Sequence, residues 1–254
     1  MTTSRLRPLV VPGLVALAAL AVLIRLGSWQ LSQLAWKNGL IAQVEARTHA
    51  PPVPLPPAAA WPAMTAAADE YRRVAVTGSF RHDAEAYLYT VAGDSNRPGQ
   101  PGRPQGQGYL VLTPLVTAEG ATVLVNRGFV PTDRRDPATR QAGQTTGPVT
   151  ITGLVRFPER RSVFAASDDL ARRLFYTRDT PVIAQTLGFD RNSTAPFSID
   201  ADATPVAGGL PQGGETRLSF PNRHFEYALT WFGLALTLIG VFAAFAVQKW
   251  RGTV

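Results

Sequence analysis

The ionisable side chain with the most chemistry to offer is His224, in Asn222-Arg223-His224-Phe225-Glu226-Tyr227, where polar chain enters an apolar run that reaches Val247. An ionisable group at the entrance of a membrane helix is costly to place and reads as functional by default. Helical spacing sets His224, Tyr227, Ala228 and Trp231 on one face. The small Ala228 leaves room beside the imidazole, and the aromatic rings could flank a flat ligand. A neutral imidazole in that setting suits axial ligation of a haem iron. The plainer reading makes His224 and Trp231 interfacial anchors, since such belts are common at membrane surfaces. The residues themselves leave both readings open.

Little else in the chain invites catalysis. There is no cysteine, which excludes disulfides, thiolate-bound zinc, iron–sulfur clusters and covalent c-type haem. The other histidines are His49, at a Pro-rich boundary, and His82, in what reads as a strand-end turn; both are expected at the solvated surface. No nucleophile elbow, phosphate loop, zinc-binding helix or dinucleotide fingerprint occurs. Asp133 and Asp136 are flanked by Arg134 and Arg135 and read as a loop rather than an acid/base pair. No metal site is expected beyond a haem iron held by His224, and no enzyme.

Two apolar segments must position His224. The expected division is a cytoplasmic N-terminus over 1–7, a first membrane helix over 8–27, an extramembrane region over 28–223, a second membrane helix over 224–248 and a cytoplasmic tail over 249–254. The second segment is charge-free from Tyr227 to Gln248, the length a bilayer core requires. Arg5 and Arg7 lie outside the first segment, and Lys249 and Arg251 outside the second. The positive-inside rule therefore places both termini in the cytoplasm. No cleavage site follows the first segment, and seven residues before it are too few for a mitochondrial presequence. A multi-pass protein of a bacterial inner membrane, with a periplasmic central region, is expected. The net charge of +7 comes from 25 Lys+Arg, nearly all Arg. These are scattered, so nucleic acid is not an expected partner.

The helical pattern continues from Ser28 to Arg47, with Trp29, Gln33, Trp36 and Leu40 on one face. This predicts a stalk over 28–47. At about 1.5 Å per residue, His224 falls level with the stretch from Trp29 to Gln33. The two helices thus build a shared pocket in which Trp29 and Gln30 join Tyr227 and Trp231. A stiff Pro-rich spacer over 51–57 cannot be helix or sheet interior. Beyond it a β-rich body spans 71–220, with strands predicted at 74–80, 87–91, 109–112, 122–125 and 149–155. Gly93 to Gly108 reads as a mobile loop. A short helix is predicted over 181–187, capped by Asp179 or Thr180 with Pro181 in its first turn. The fold class is a membrane protein in which two transmembrane α-helices flank an α+β, mostly antiparallel, extramembrane domain.

Three stretches carry a family resemblance. Gly27-Ser28-Trp29-Gln30-Leu31-Ser32-Gln33-Leu34-Ala35-Trp36-Lys37 resembles the G-x-W-Q-x-x-R-x-x-W-K signature that follows the first helix of SURF1/Shy1 proteins. Val123 to Pro131 is similar to that family's V-L-V-N-R-G-W-V-P block. Asn222 to Ala235 resembles its N-x-H-x-x-Y-A-x-T-W-F-x-x-A motif. The three occur in the expected order. The resemblance implies an assembly factor for haem–copper cytochrome c oxidase. Its partners would be the haem-bearing subunit of a terminal oxidase and the haem A synthesis machinery. It also implies transient binding of haem a, with His224 as the ligand. Gln33 stands where the family has Arg, leaving Lys37 and Arg25 as cationic candidates one turn away, and Phe129 stands where Trp is usual. Arg127 has two readings. Asn126-Arg127-Gly128 is a turn that uses positive φ, or Arg127 holds a propionate or an acidic partner surface. The rival to a haem carrier is a haem-free membrane scaffold that stabilises the nascent oxidase subunit.

Overall fold

A computed structural model describes residues 3–93, 105–216 and 220–251. The chain divides into two units, Met1–Val44 with Leu218–Val254, and Glu45–Arg217.

The first unit is a helix pair. Helix α1 runs unbroken over Thr3–His49, so the expected stalk is a direct continuation of the membrane segment. Both α1, from Leu9, and the last helix, over His224–Arg251, are long and apolar enough to cross a membrane. On α1 the less exposed positions include Gly13, Ala16, Leu20, Leu23, Gly27 and Gln30, alternating in steps of three and four. On the last helix Ala228, Trp231, Ala235, Leu238 and Phe242 follow the same rhythm. That spacing is a narrow seam of the coiled-coil type. The small residues in it let the backbones approach. A Cβ on Gly27 would lie 2.7 Å from the Phe232 ring, and one on Gly13 would lie 3.4 Å from Phe242.

The second unit is built on eight strands: β1 (Val53–Pro54), β2 (Arg73–Phe80), β3 (Ala86–Ala92), β4 (Gly106–Val116), β5 (Thr122–Pro131), β6 (Pro148–Arg156), β7 (Leu174–Phe175) and β8 (Thr194–Ala201). The sheet order is β1-β2-β6-β8-β5-β4-β3-β7, and an extra pairing of Ser79 and Phe80 with Val116 and Leu115 joins β2 to β4. Strands β2, β6, β8, β5 and β4 therefore close into a barrel. Its pairings are antiparallel except β5 with β8. Alternate residues fill the interior, among them Val74, Val76, Val123, Val125, Phe197 and Ile199, as a pleated strand with one apolar face requires. Trp61, from a short 3₁₀ segment at Ala58–Ala63, closes onto this core, edge-on to Phe197 at 5.9 Å, with its indole N–H donating to Pro56 O at 2.8 Å. A second cluster (Leu88, Leu112, Leu124, Phe175, Ile183) lies beneath the short helix over Thr180–Thr186.

That helix matches its sequence signal: Asp179 accepts from Val182 N, and Pro181 stands in the first turn. The five predicted strands are all present, most of them longer than expected. The mobile loop expected from Gly93 to Gly108 is corrected at its C-terminal end. Gly106, Gln107 and Gly108 pair with Ala92, Val91 and Thr90, while 94–104 lie outside the described residues. The Pro-rich spacer yields an edge strand, β1, parallel to β2. Pro54 is tolerated there because an edge leaves one side of the strand without ladder bonds. Strand β8 had no strong signal: Thr194-Ala195-Pro196-Phe197-Ser198-Ile199-Asp200 carries a Pro and an Asp that argue against a central strand.

Candidate functional site

His224 opens the last helix, and Ala228, one turn on, is fully buried. The imidazole Nδ1 lies 2.6 Å from Gln30 Oε1 on α1. A glutamine oxygen only accepts, so Nδ1 is the donor in this contact, and in a neutral imidazole the lone pair is then on Nε2. Neighbouring contacts hold the helix entrance in place. Asn222 Nδ2 donates to Asn38 Oδ1 at 2.9 Å, and Lys37 Nζ donates to Pro221 O. Level placement of His224 with the Trp29–Gln33 stretch is thus what the geometry has. The residues expected to line a shared pocket divide. Gln30 meets His224 and Trp231 is half-buried, whereas Trp29 is 47% exposed and Tyr227 54% exposed, both turned outward. Lys37 is spent on the Pro221 carbonyl, and Arg25 is exposed.

In the barrel, Asn126-Arg127-Gly128 is not a turn. It lies inside β5, at a bulge where Leu112 pairs with Asn126 but Leu110 with Phe129. Gly128 adopts φ +123°, and a Cβ there would fall 1.9 Å from Gln212 O. Glycine is needed for the close approach as much as for the angle. Nor does Arg127 face outward. It is 5% exposed, continues the inward row of Val123 and Val125, stacks 4.9 Å over Phe80 and donates to Gly143 O. Its Nη1 is 3.5 Å from Glu85 Oε1, and Arg140 grips Glu85 at 3.1 and 2.5 Å.

His82 also belongs to this cluster. The surface role expected for it is corrected: its Nε2 bonds Thr145 O at 2.9 Å, and Nδ1 is 3.4 Å from Arg127 and 3.9 Å from Glu85. Burial by itself would raise the Glu85 carboxyl. The nearby His82 ring and hydrogen bonds from Arg140, with the charges of Arg140 and Arg127, outweigh it and hold the pKa below the usual carboxylate range. Burial, only partly offset by Glu85 and reinforced by repulsion from Arg140, lowers Arg127 to about 10.

Each of three stretches now has a place, and comparison with known proteins agrees with their order. The SURF1 family model matches residues 17–236. The chain is 40% identical over 214 residues to Surfeit locus protein 1 of Rattus norvegicus, covering 82% of this chain and 67% of that one. For the Homo sapiens protein of that name the figures are 38% over 216 residues, 83% and 69%. A SURF1-like protein of Monosiga brevicollis is 37% identical over 223 residues, covering 84% and 79%. The chain belongs to the SURF1 family.

Membership of the SURF1 family supports a role in cytochrome c oxidase assembly, in association with oxidase subunits, and the family is not known for catalysis. The two apolar helices fit a membrane-anchored protein. Against the SURF1 motifs, the structure explains one departure: Phe129, where Trp is usual, is 1% exposed and simply packs. Sequence reasoning missed a second buried network. Asp200 on β8 accepts from Asn126 Nδ2 (2.9 Å), Arg178 Nη1 (2.5 Å), Arg156 Nη1 (3.2 Å) and Thr216 Oγ1 (2.9 Å). Burial would raise its pKa, but Arg178 and Arg156, with the Asn126 and Thr216 bonds, bring it down. The only available signal was Asn126, whose partner could not be named until β8 was known to lie beside β5.

Proposed function

We propose that the chain assists oxidase maturation by holding haem a transiently at the membrane surface, with His224 Nε2 as axial ligand, for handover to the haem-bearing subunit of a terminal oxidase. The observation that supports this is the 2.6 Å contact from His224 Nδ1 to Gln30 Oε1. A metal-ligating histidine commonly gives its other N–H to a fixed acceptor, which sets the tautomer and the ring plane. Here the acceptor comes from the other helix, so the ligand is oriented by the helix pair rather than by its own helix. Haem a, when bound, would supply an iron for the imidazole to ligate. Gln30 and Ala228 orient the ring and leave space beside it, and half-buried Trp231 offers an apolar wall. Trp29 and Tyr227, turned outward, serve as anchors or as contacts to other membrane helices. Arg127, buried in the barrel, is no propionate contact in this reading.

Ligation by one neutral histidine suits a carrier, since a haem held too tightly could not be released. Exchange with the haem A synthesis machinery, a bacterial inner membrane and cytoplasmic termini complete the proposal. The outward face of Trp29 and Tyr227 favours the second reading, a haem-free scaffold that packs against the oxidase subunit. Optical spectra of the protein from a host that makes haem A, beside His224→Ala, decide between them. A haem a spectrum lost in the variant, with the fold intact, supports the carrier. No haem in the wild-type protein favours the scaffold, and equal haem in both removes His224 from the site.

A further inference from the structure

One end of the barrel is open. A cavity of about 280 Å³ is bounded there by Phe80 at the end of β2, Val149 and Ile151 at the start of β6, Val206 on the segment after β8, and the threonines Thr145 and Thr152. Arg127 reaches it from inside. The interior of a small barrel is normally filled by side chains. In this one the inward row of β5, Val123 and Val125, ends in a guanidinium rather than a third apolar group.

The charges around that guanidinium do not cancel. Arg127 and Arg140, 5% exposed each, share the single carboxylate of Glu85, 2% exposed. Arg140 takes both oxygens by hydrogen bonds, which leaves Arg127 at 3.5 Å from one of them. His82 adds no negative charge; its Nε2 lies 2.9 Å from Thr145 O and its Nδ1 3.4 Å from Arg127 Nη1. Asp202, also on the cavity wall, is matched by Arg73 at 2.5 Å. A buried cluster with one surplus positive charge is costly unless something balances it.

We propose that the barrel mouth is a ligand site for a carboxylate carried on a small apolar body, with Arg127 receiving the carboxylate. Three features define the class. The surplus charge calls for one anionic group, and a carboxylate matches the planar edge of a guanidinium. Phe80, Val149, Ile151 and Val206 offer an apolar sleeve that a bare inorganic anion leaves unfilled. The volume admits several methylene groups and is at the small end of ligand cavities. The mouth of a β-barrel is a common place for such sites. This site lies wholly within the barrel unit and is independent of His224, so either proposal can fail without the other.

The test uses the full chain in detergent and a short carboxylic acid bearing a diazirine, with the labelled peptides mapped by mass spectrometry. Labelling is expected on peptides carrying 149–152 and 204–207. Excess hexanoate should reduce it about tenfold, whereas 1-hexanol and inorganic phosphate leave it unchanged. Ala207→Trp, on the exposed rim, should reduce labelling by about tenfold with the barrel still folded. Label confined to other peptides, equal competition by hexanol, competition by phosphate alone, or undiminished labelling in Ala207→Trp would each overturn the assignment. Arg127→Gln is a further arm: if it folds, it should abolish the preference for hexanoate over hexanol, and a retained preference refutes the role of Arg127.

Discussion

The helix pair and the barrel treat polar groups in opposite ways. In the helix pair most large apolar side chains are exposed, Leu17 at 63% and Leu236 at 70%, and the seam combines small residues with a few polar contacts at its entrance, His224 to Gln30 among them. Within the barrel strands most large apolar residues are hidden, and beside them lie two buried ion clusters, around Glu85 and around Asp200. The difference follows from the solvent each unit is built for. Lipid rewards apolar groups on the outside and gives helices little hydrophobic reason to associate, so contact depends on close packing and a few hydrogen bonds. Water drives apolar groups inward, and a polar group carried in with them must find its partners there. A polar residue in the helix seam is therefore a sign of function, whereas most of those inside the barrel are structural.

This contrast predicts where substitutions hurt. The largest effect is expected for Asp200→Ala, which leaves Arg178 and Arg156 buried without their shared carboxylate. A loss of about 3–5 kcal/mol in barrel stability, read from chemical denaturation, follows from breaking such a cluster on one side. Gly128→Ala comes next, at about 3 kcal/mol, because the new Cβ would enter the space of Gln212 O at an angle that L-residues avoid. A loss within experimental error at either position would mean that the barrel tolerates what its geometry forbids.

Acid should separate the two units. Glu85 and Asp200 both have folded-state pKa values below their ordinary ones. Their contribution is therefore present above the unfolded value, about 4, and is lost as pH falls from there through the folded values. Hydrogen exchange between pH 6 and 3 should show β5 and β8 losing protection while the last helix keeps its own. Simultaneous loss in both units would contradict this.

Smaller effects belong to the helix pair. Gly27→Val should cost about 1 kcal/mol or less, because the Phe232 ring edge can swing away. Spin labels at Leu17→Cys and Leu236→Cys, easily placed in a cysteine-free chain, should report a separation wider by about 1–2 Å. His224→Ala should change the unfolding of the barrel by less than about 0.5 kcal/mol. A large effect would make His224 a structural residue and weaken the carrier reading.

Several elements were legible because their signals are local. The length of the apolar runs, the period of the stalk, the Asp179–Pro181 cap and the alternation in β2, β5 and β6 all depend on near neighbours. The level of His224 with Gln30 followed from counting rise per residue along two helices. Three readings failed where the deciding contact is distant in sequence. Asn126-Arg127-Gly128 had the composition of a turn, but Gln212 and a bulge against β4 make it strand. His82 had the surroundings of a surface residue, but the segment around Gly143 and Thr145 folds over it. The glycines at 106 and 108 had the composition of a loop, yet Gly108 is required where a Cβ would lie 2.3 Å from Val130 O.

By itself the sequence determined the two membrane-length helices, the β character of the region between them, the family and the prominence of His224. Apolar length, periodicity and contiguous motifs are properties of neighbouring residues. Only the tertiary structure decided that the strands close into a barrel, that β8 runs parallel to β5, and that Arg127 turns inward. Those outcomes depend on pairings between residues far apart in the chain, whose energies no local pattern encodes.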